Sequence, residues 1–232
     1  MLDIGQQRVR TGRLLWTVLV SAYFLIFSRN FFVDVLAEEA LPSMLYAWVF
    51  VAWLAIEYCF GSPFFQSGVV EPSALGRGVF AFFVYPFLGY LVGDHGWWNW
   101  TQFPIPPLFT WLPGMVLFLG GTALRLLTLV AMLKADDQRR RRKGLDRGVF
   151  SSPAFRVCRH PRYLATFIQL VGSALVFNSW GGLVLAGTVG LGLILLQVRF
   201  EDAALRRLWK DDFVAYAAQV PMLRPCFRRA SG

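Results

Sequence analysis

The segment Cys158-Arg159-His160-Pro161-Arg162-Tyr163 combines side chains that could bind an anion or a cofactor. Pro161 suits the first turn of a helix, where its missing N–H removes no hydrogen bond. It also disfavours helical geometry at the residue before it, so we expect His160 to cap the helix. Free N–H groups and the helix dipole would then form an anion site beside Arg159. Local physics alone favours a simpler interpretation, a helix start with basic residues at the cytoplasmic face.

The acidic pair Glu201-Asp202 is the second candidate site. Glu201 lies four and seven residues before Leu205 and Leu208, which places it on the apolar face of a helix. A carboxylate on such a face near a bilayer must be paired or functional. Asp202 is offset by one residue, and we expect it to pair with Arg206 at i+4. The simpler alternative is a first-turn carboxylate that stabilises a helix dipole.

Two further charged residues, Glu57 and Arg125, lie inside apolar segments. A buried ion pair between them is the simpler explanation of both. The functional alternative places them in a substrate cavity. The three cysteines form no CxxC pair and there are only two histidines, so the sequence predicts no metal site and no disulfide framework.

The apolar residues that surround these sites are grouped into long blocks. The chain of 232 residues is 56% hydrophobic and 16% charged, with a mean hydropathy of +0.49. A helix crosses a bilayer with about 20 apolar residues. The sequence therefore predicts an all-α, polytopic transmembrane bundle with about six spans, at residues 14–28, 43–61, 78–93, 107–133, 162–178 and 180–199.

The net charge of +9 falls into three clusters: the N-terminal arm, residues 134–162 and the C-terminal tail. Cytoplasmic loops and anionic lipid headgroups both select for such clusters, so both termini and the basic loop are predicted to be cytoplasmic. Residues 94–106 contain no Lys or Arg and are predicted to lie outside. No groove-reading module accompanies the charge, which argues against nucleic acid as a partner.

The last two spans and the tail have their own patterns. Only residues 178–181 separate the spans, which predicts a tight helical hairpin. Gly182, Ala186 and Gly190 recur every four residues and would let another helix approach closely. An amphipathic cytoplasmic helix is predicted over residues 199–219, because apolar residues follow helical spacing there. The predicted divisions are four N-terminal spans in 1–133, a basic loop with the proline turn in 134–161, and a cofactor-binding region in 162–232.

An ordered set of motifs connects the two candidate sites. It consists of Arg159-His160-Pro161-x-Tyr163, a hairpin, Arg199-x-Glu201-Asp202-x-x-Leu205, Phe213-x-x-Tyr216, Val220-Pro221 and Pro225, with a weak extension to Gly121-x-x-x-Arg125. Over roughly residues 156–225, this order resembles the isoprenylcysteine carboxyl methyltransferase and phospholipid methyltransferase family. The combination is specific, whereas each motif alone is not.

The resemblance implies an integral membrane methyltransferase that uses S-adenosylmethionine. The implied cofactor site faces the cytoplasm and contains His160, Pro161, Tyr163, Glu201 and Asp202. The two acids would hold the ammonium of the cofactor, and Arg159 with Glu201 would act as catalytic residues that organise the reacting groups. The implied acceptor is lipophilic and enters from the membrane lipids: a prenyl- or thioether-bearing carboxylate, an amine lipid or a small thiol.

Two other functions fit parts of the pattern. A sterol-type membrane reductase that uses NADPH resembles the same C-terminal architecture, but the proline directly after His160 and the compact Arg199-x-Glu201-Asp202 element favour a methyltransferase. A non-enzymatic membrane scaffold or transporter subunit would leave the placement of Arg159 and Glu201 unexplained. A transporter would also be expected to have internal repeats, and the sequence has no evident repeat.

Overall fold

The computed structural model describes residues 45–46, 48–53, 74–142 and 153–223, and nearly all of them are helical. One isolated bridge, Gln102 to Ser179, is the single β-type pairing within these ranges. The helices beyond residues 45–46 and 48–53 are α1 (Ala74–Gly93), α2 (Leu108–Arg142), α3 (Pro153–Val157), α4 (Pro161–Val176), α5 (Trp180–Leu185) and α6 (Leu191–Gln219), with π-helical turns at Asp94–Trp98 and Ala186–Gly190. The predicted all-α class is confirmed over the described ranges.

Two helices within the described ranges are long and apolar enough to cross a bilayer: Leu108–Met132 and Trp180–Gln219. The second combines α5, the π turn and α6. Of the other predicted spans, residues 14–28 lie outside the described part, and residues 43–61 are described only in part. The α1 and α4 helices overlap the spans predicted at 78–93 and 162–178. The structure therefore supports membrane association, and the number of spans stays a prediction.

Glycines allow α2 and α4 to pack against each other at the backbone. A β-carbon on Gly172 would lie 2.7 Å from the Phe118 nitrogen and 2.8 Å from the Gly114 oxygen. One on Gly121 would lie 2.9 Å from the Ala165 oxygen. No larger residue fits these positions without separating the helices. This contact fixes α4, and with it the proline turn where α4 begins.

The hairpin between α4 and α5 is as tight as its four connecting residues predicted. Asn178 adopts a left-handed φ of 57°, a conformation that asparagine tolerates better than most residues. The Ser179 hydroxyl caps α5 by accepting a hydrogen bond from Gly182 N at 3.0 Å. The predicted small-residue stripe is confirmed: a β-carbon on Gly182 would overlap Leu91, and one on Gly190 would lie 3.2 Å from Phe83. The hairpin therefore packs directly on α1.

Asp94 joins the loop at residues 94–106 to this hairpin. Its carboxylate is fully buried and accepts hydrogen bonds from the Thr101 backbone at 3.0 Å, the Thr101 hydroxyl at 2.5 Å, the Gln102 amide at 3.1 Å and the Ser179 hydroxyl at 2.8 Å. In addition, Trp180 N donates to the Thr101 oxygen at 2.9 Å. Four donors compensate for the desolvation of the buried carboxylate. The sequence analysis assigned no role to Asp94. Its hydrogen-bond donors come from the loop and from the hairpin, which are far apart in sequence.

The predicted amphipathic helix at 199–219 is the second part of α6 rather than a separate element. Glu201, Leu205 and Phe213 are buried on it. Leu208, predicted to share their face, is 57% exposed, so the buried face stops at Leu205 and resumes at Phe213. Between them Lys210 leaves helical geometry, with φ 44° and ψ −121°. The break divides α6 into two segments that follow different directions.

The glycine contact between α2 and α4 makes a matched pair of substitutions informative. We expect Gly172→Ala to lower the free energy of unfolding by about 1–3 kcal/mol, because the added methyl meets backbone atoms that cannot move aside. Gly120 is an exposed residue of α2, and a β-carbon added there would have no atom within 4 Å, so Gly120→Ala is the matched control. It should be neutral or stabilising by up to about 1 kcal/mol, since alanine favours helix. Thermal unfolding in detergent measures both, and equal losses would contradict the packing described.

Candidate functional site

The proline turn has the geometry that the sequence predicted. Pro161 is the first residue of α4, and His160 precedes it as the N-cap with φ −125° and ψ 62°. The His160 side chain makes no capping bond to the helix, so the imidazole is directed to other partners. Pro161 and Tyr163 are buried beside it. The turn therefore presents its side chains toward the interior of the protein.

The two candidate sites meet at His160. The Nε2 atom lies 2.7 Å from Asp202 Oδ1, and Nδ1 lies 3.5 Å from Glu201 Oε2. Arg159 Nη1 donates to Asp202 Oδ2 at 2.7 Å. One imidazole thus lies between two carboxylates, and one carboxylate receives both an imidazole and a guanidinium. These contacts require the start of α4 and the middle of α6 to lie close together. The hairpin makes this possible because it returns the chain to the side where α4 begins.

Tyr163 completes the wall on the α4 side. Its ring centroid lies 5.8 Å from that of His160 at an interplanar angle of 66°, an edge-to-face arrangement. The charge of the Glu201 carboxylate acts on its hydroxyl. Glu201 is 6% exposed, as expected for an acid on the apolar face of a helix. The pairing predicted between Asp202 and Arg206 differs in the structure: the ion pair is with Arg159, and Arg206 acts on Asp202 through its charge.

Burial and charge act in opposite directions on His160. Burial lowers the pKa of the imidazole, whereas hydrogen bonds to Asp202 and Glu201, and their negative charges, raise it, and the net pKa is above the usual value. The protonated imidazole is favoured because Nε2 is hydrogen-bonded to Asp202 and Nδ1 lies 3.5 Å from the Glu201 carboxylate. Arg159 carries an unused donor: its Nε is buried without a hydrogen-bond partner among the described residues. The site therefore has a cationic edge and an anionic edge.

The comparison with known families bears on this segment of the chain. Residues 109–212 match the model of the phospholipid methyltransferase family. This segment, slightly less than half of the chain, is similar to that family. The match contains Arg125, the proline turn and both carboxylates, and it confirms the resemblance found in the motifs. Comparison with curated proteins and with solved structures gave no significant match. A methyltransferase family implies an enzyme, and the two apolar helices agree with an enzyme associated with a membrane.

Arg125 also lies in the matched segment, and its charge acts on Tyr163. It is fully buried, its Nη1 donates to the Thr166 hydroxyl at 2.6 Å, and its guanidinium lies 5.7 Å from the Trp53 ring centroid. Both contacts suit a cation in an apolar setting. Glu57, predicted to pair with it or to line a substrate cavity, lies outside the described residues. The role of Arg125 in a substrate cavity stays a prediction.

The sequence analysis missed the residues that hold the turn from the C-terminal side. Arg159 N donates to the Pro221 oxygen at 2.9 Å, and His160 N donates to the Met222 oxygen at 3.2 Å. His160 N is one of the N–H groups at the start of α4, and it is already bonded. The anion site predicted from the free N–H groups of this turn stays a prediction. Backbone carbonyls leave no signature in side-chain spacing, and Pro221 was noted only as part of the Val220-Pro221 motif.

The raised pKa of His160 predicts a pH dependence of stability. A histidine whose pKa is higher folded than unfolded contributes stability below the unfolded pKa of about 6.5, and this contribution is lost as the pH rises through the folded pKa. Thermal midpoints of wild type and His160→Gln, measured from pH 6 to pH 9, should therefore converge as the pH rises.

His95, the second histidine, provides a control with the opposite sign. Burial lowers the pKa of His95 despite hydrogen bonds and the charge of Asp94. Its neutral form is therefore favoured in the folded protein, and wild type should lose stability relative to His95→Gln as the pH falls below about 6.5. Parallel curves for His160→Gln and wild type would show that the carboxylates do not hold the imidazole as described.

Proposed function

We propose that this protein transfers a methyl group from S-adenosylmethionine to a lipophilic acceptor that enters from the bilayer. The observation that carries the proposal is the buried cluster of Arg159, His160, Glu201 and Asp202, which lies inside the family segment. Isolated buried charges are costly, so a cluster of this kind is found where it serves a purpose. The same cluster is less expected for a scaffold, which requires no titratable groups in its interior.

The donors and acceptors of the cluster fit the cofactor. S-adenosylmethionine carries an ammonium, a sulfonium and a carboxylate. A carboxylate oxygen accepts more than one hydrogen bond, so Asp202 retains capacity for an ammonium beside Arg159 and His160. The buried Arg159 Nε has no partner among the described residues and is suited to the cofactor's carboxylate. His160, Pro161 and Tyr163 would form the wall, as the family resemblance implied.

The bound cofactor supplies an electrophilic methyl carbon, which reacts by in-line displacement. The residues of the chain contribute alignment and the exclusion of water. Arg159 would orient an anionic acceptor. Glu201, buried beside the imidazole, would accept the proton of an amine or thiol acceptor as general base. For a carboxylate acceptor no base is required, and Glu201 would act on the cofactor alone.

The acceptor is proposed to reach the site from the membrane lipids. The helix that carries Glu201 and Asp202 is itself apolar enough to span a bilayer. Its residues Leu196 and Phe200, which lie five residues and one residue before Glu201, are 46% and 62% exposed. Apolar side chains next to a polar cluster would accommodate a lipid chain while its reactive group meets the cofactor. A multi-pass protein with the site and both termini in the cytoplasm agrees with the placement of its basic clusters.

Cofactor binding is the direct test. Saturating S-adenosylmethionine or S-adenosylhomocysteine should stabilise the purified protein by about 2.7 kcal/mol at one hundred times the dissociation constant, because a ligand of the folded state shifts unfolding. Asp202→Asn should weaken binding by about 10- to 100-fold, the loss of a hydrogen bond to a charged group. Asp211→Asn, at an exposed acid on the same helix, is the matched control and should bind as wild type.

Glu201→Gln separates binding from turnover. If Glu201 is the base, transfer of a labelled methyl group into the lipid extract of native membranes should fall by about 10²- to 10⁴-fold, more than cofactor binding does. NADPH serves as the competing ligand, since a reductase would be stabilised by it instead. Isothermal calorimetry that finds no heat from S-adenosylmethionine or its product on wild type would end the methyltransferase proposal.

A further inference from the structure

The C-terminal segment from residue 211 to residue 223, here called the strap, crosses the proline turn and lies, except for its first two residues, beyond the matched segment, which ends at residue 212. It begins after the break at Lys210 and contains the last turns of α6. Val220 ends the helix in an extended conformation with φ −115° and ψ 121°. The next two residues then run alongside Arg159 and His160. The strap is thus a separate element that contacts the turn.

Three hydrogen bonds connect the strap to the turn and to the short helix before it. The Tyr216 hydroxyl donates to the Phe155 oxygen in α3 at 2.7 Å. Arg159 N and His160 N donate to the Pro221 and Met222 oxygens, at 2.9 and 3.2 Å. Two successive amides are therefore bonded to two successive carbonyls, which fixes both the position and the direction of the turn.

Apolar packing supports these bonds. Phe213 is 1% exposed and Phe155 is 2% exposed, and the Phe213 and Tyr216 rings lie 6.2 Å apart. Met222 and Leu223 pack partly buried against the hydrophobic core. The strap packs against the protein at both of its ends, although Lys210 in a left-handed conformation interrupts the helix that leads to it. A lysine at such a φ is uncommon, and the surrounding contacts must hold it there.

We propose that Tyr216 is a positioning residue that holds Arg159 and His160 against the α6 carboxylates through the strap. The side chains of Arg159 and His160 reach Asp202 at 2.7 Å only if their backbone is fixed. The helix hydrogen bonds of α4 begin at the His160 oxygen, which accepts from Leu164 N, so they do not hold the backbone at Arg159. The strap performs that task from the opposite side. The catalytic role of the turn rests on the function proposed above, whereas its positioning by the strap does not.

Tyr216→Phe removes only the hydroxyl and tests this directly. Tyr46→Phe is the matched control, because Tyr46 makes a hydrogen bond of the same length, 2.7 Å to Ser173, inside the bundle. The two variants should lose similar thermal stability. Only Tyr216→Phe should shift the NMR titration of His160 back toward that of an ordinary histidine, and only it should weaken S-adenosylmethionine binding, by about tenfold, as expected for one lost hydrogen bond.

With two histidines in the chain, the His95→Gln variant assigns the His160 signal. An unchanged His160 titration in a folded Tyr216→Phe protein would overturn the proposal. If wild type fails to bind the cofactor, the function proposed above fails, yet the titration still tests the positioning role. If Tyr216→Phe does not fold, amide exchange on wild type decides: the Arg159 and His160 amides should be protected like those of α4, and fast exchange would overturn the proposal.

Discussion

The imidazole of His160, enclosed between the carboxylates of Glu201 and Asp202, is the interaction on which the rest of this structure depends. Buried ions are tolerated only when each has a partner. The three side chains and Arg159 pair with one another, and none could occupy this interior position without such a partner. The helices must therefore bring residues 159–160 and 201–202 to within hydrogen-bond distance, and the architecture follows from that requirement.

Two features of the packing meet this requirement, one along α4 and one at its hairpin end. Glycines on α2 and α4 let their backbones touch, which removes freedom from the helix that starts at the turn. At the hairpin end, Asp94 ties the loop at residues 94–106 to the hairpin, which sets how α5 leaves α4. The hairpin end of α4 is therefore held by polar bonds, whereas its first turn carries the side chains suited to chemistry. Stability and the candidate site occupy different ends of the same helices.

Much of this arrangement could be predicted from the sequence. Pro161 at the start of α4, the hairpin at residues 178–181 and the stripe of Gly182, Ala186 and Gly190 follow from local rules that hold in any context, and all three are confirmed. The burial of Glu201 followed from helical periodicity. The family was identifiable because its motifs occur in a fixed order.

What the sequence did not predict depends on tertiary contacts. Asp202 has an arginine four residues later, yet it pairs with Arg159, which is distant in sequence and arrives only after folding. The break at Lys210 occurs at a residue with ordinary helix propensity, so no local signal marks it. The carbonyls of Pro221 and Met222 contribute as backbone, which every residue possesses. The partners of these contacts are far apart in sequence, whereas the spacing of apolar residues along a helix predicts only local structure.

The π turn at Ala186–Gly190 sets the rotational phase of everything after it. Buried positions recur every four residues from Gly182 through Ala186, Gly190 and Ile194 to Val198. In a regular α-helix of 3.6 residues per turn, each such step drifts by about 40°, so the stripe would wind to the far side. The wide turn absorbs about one residue of that drift. Deleting one residue there would turn both carboxylates by about 100° and point them away from the imidazole.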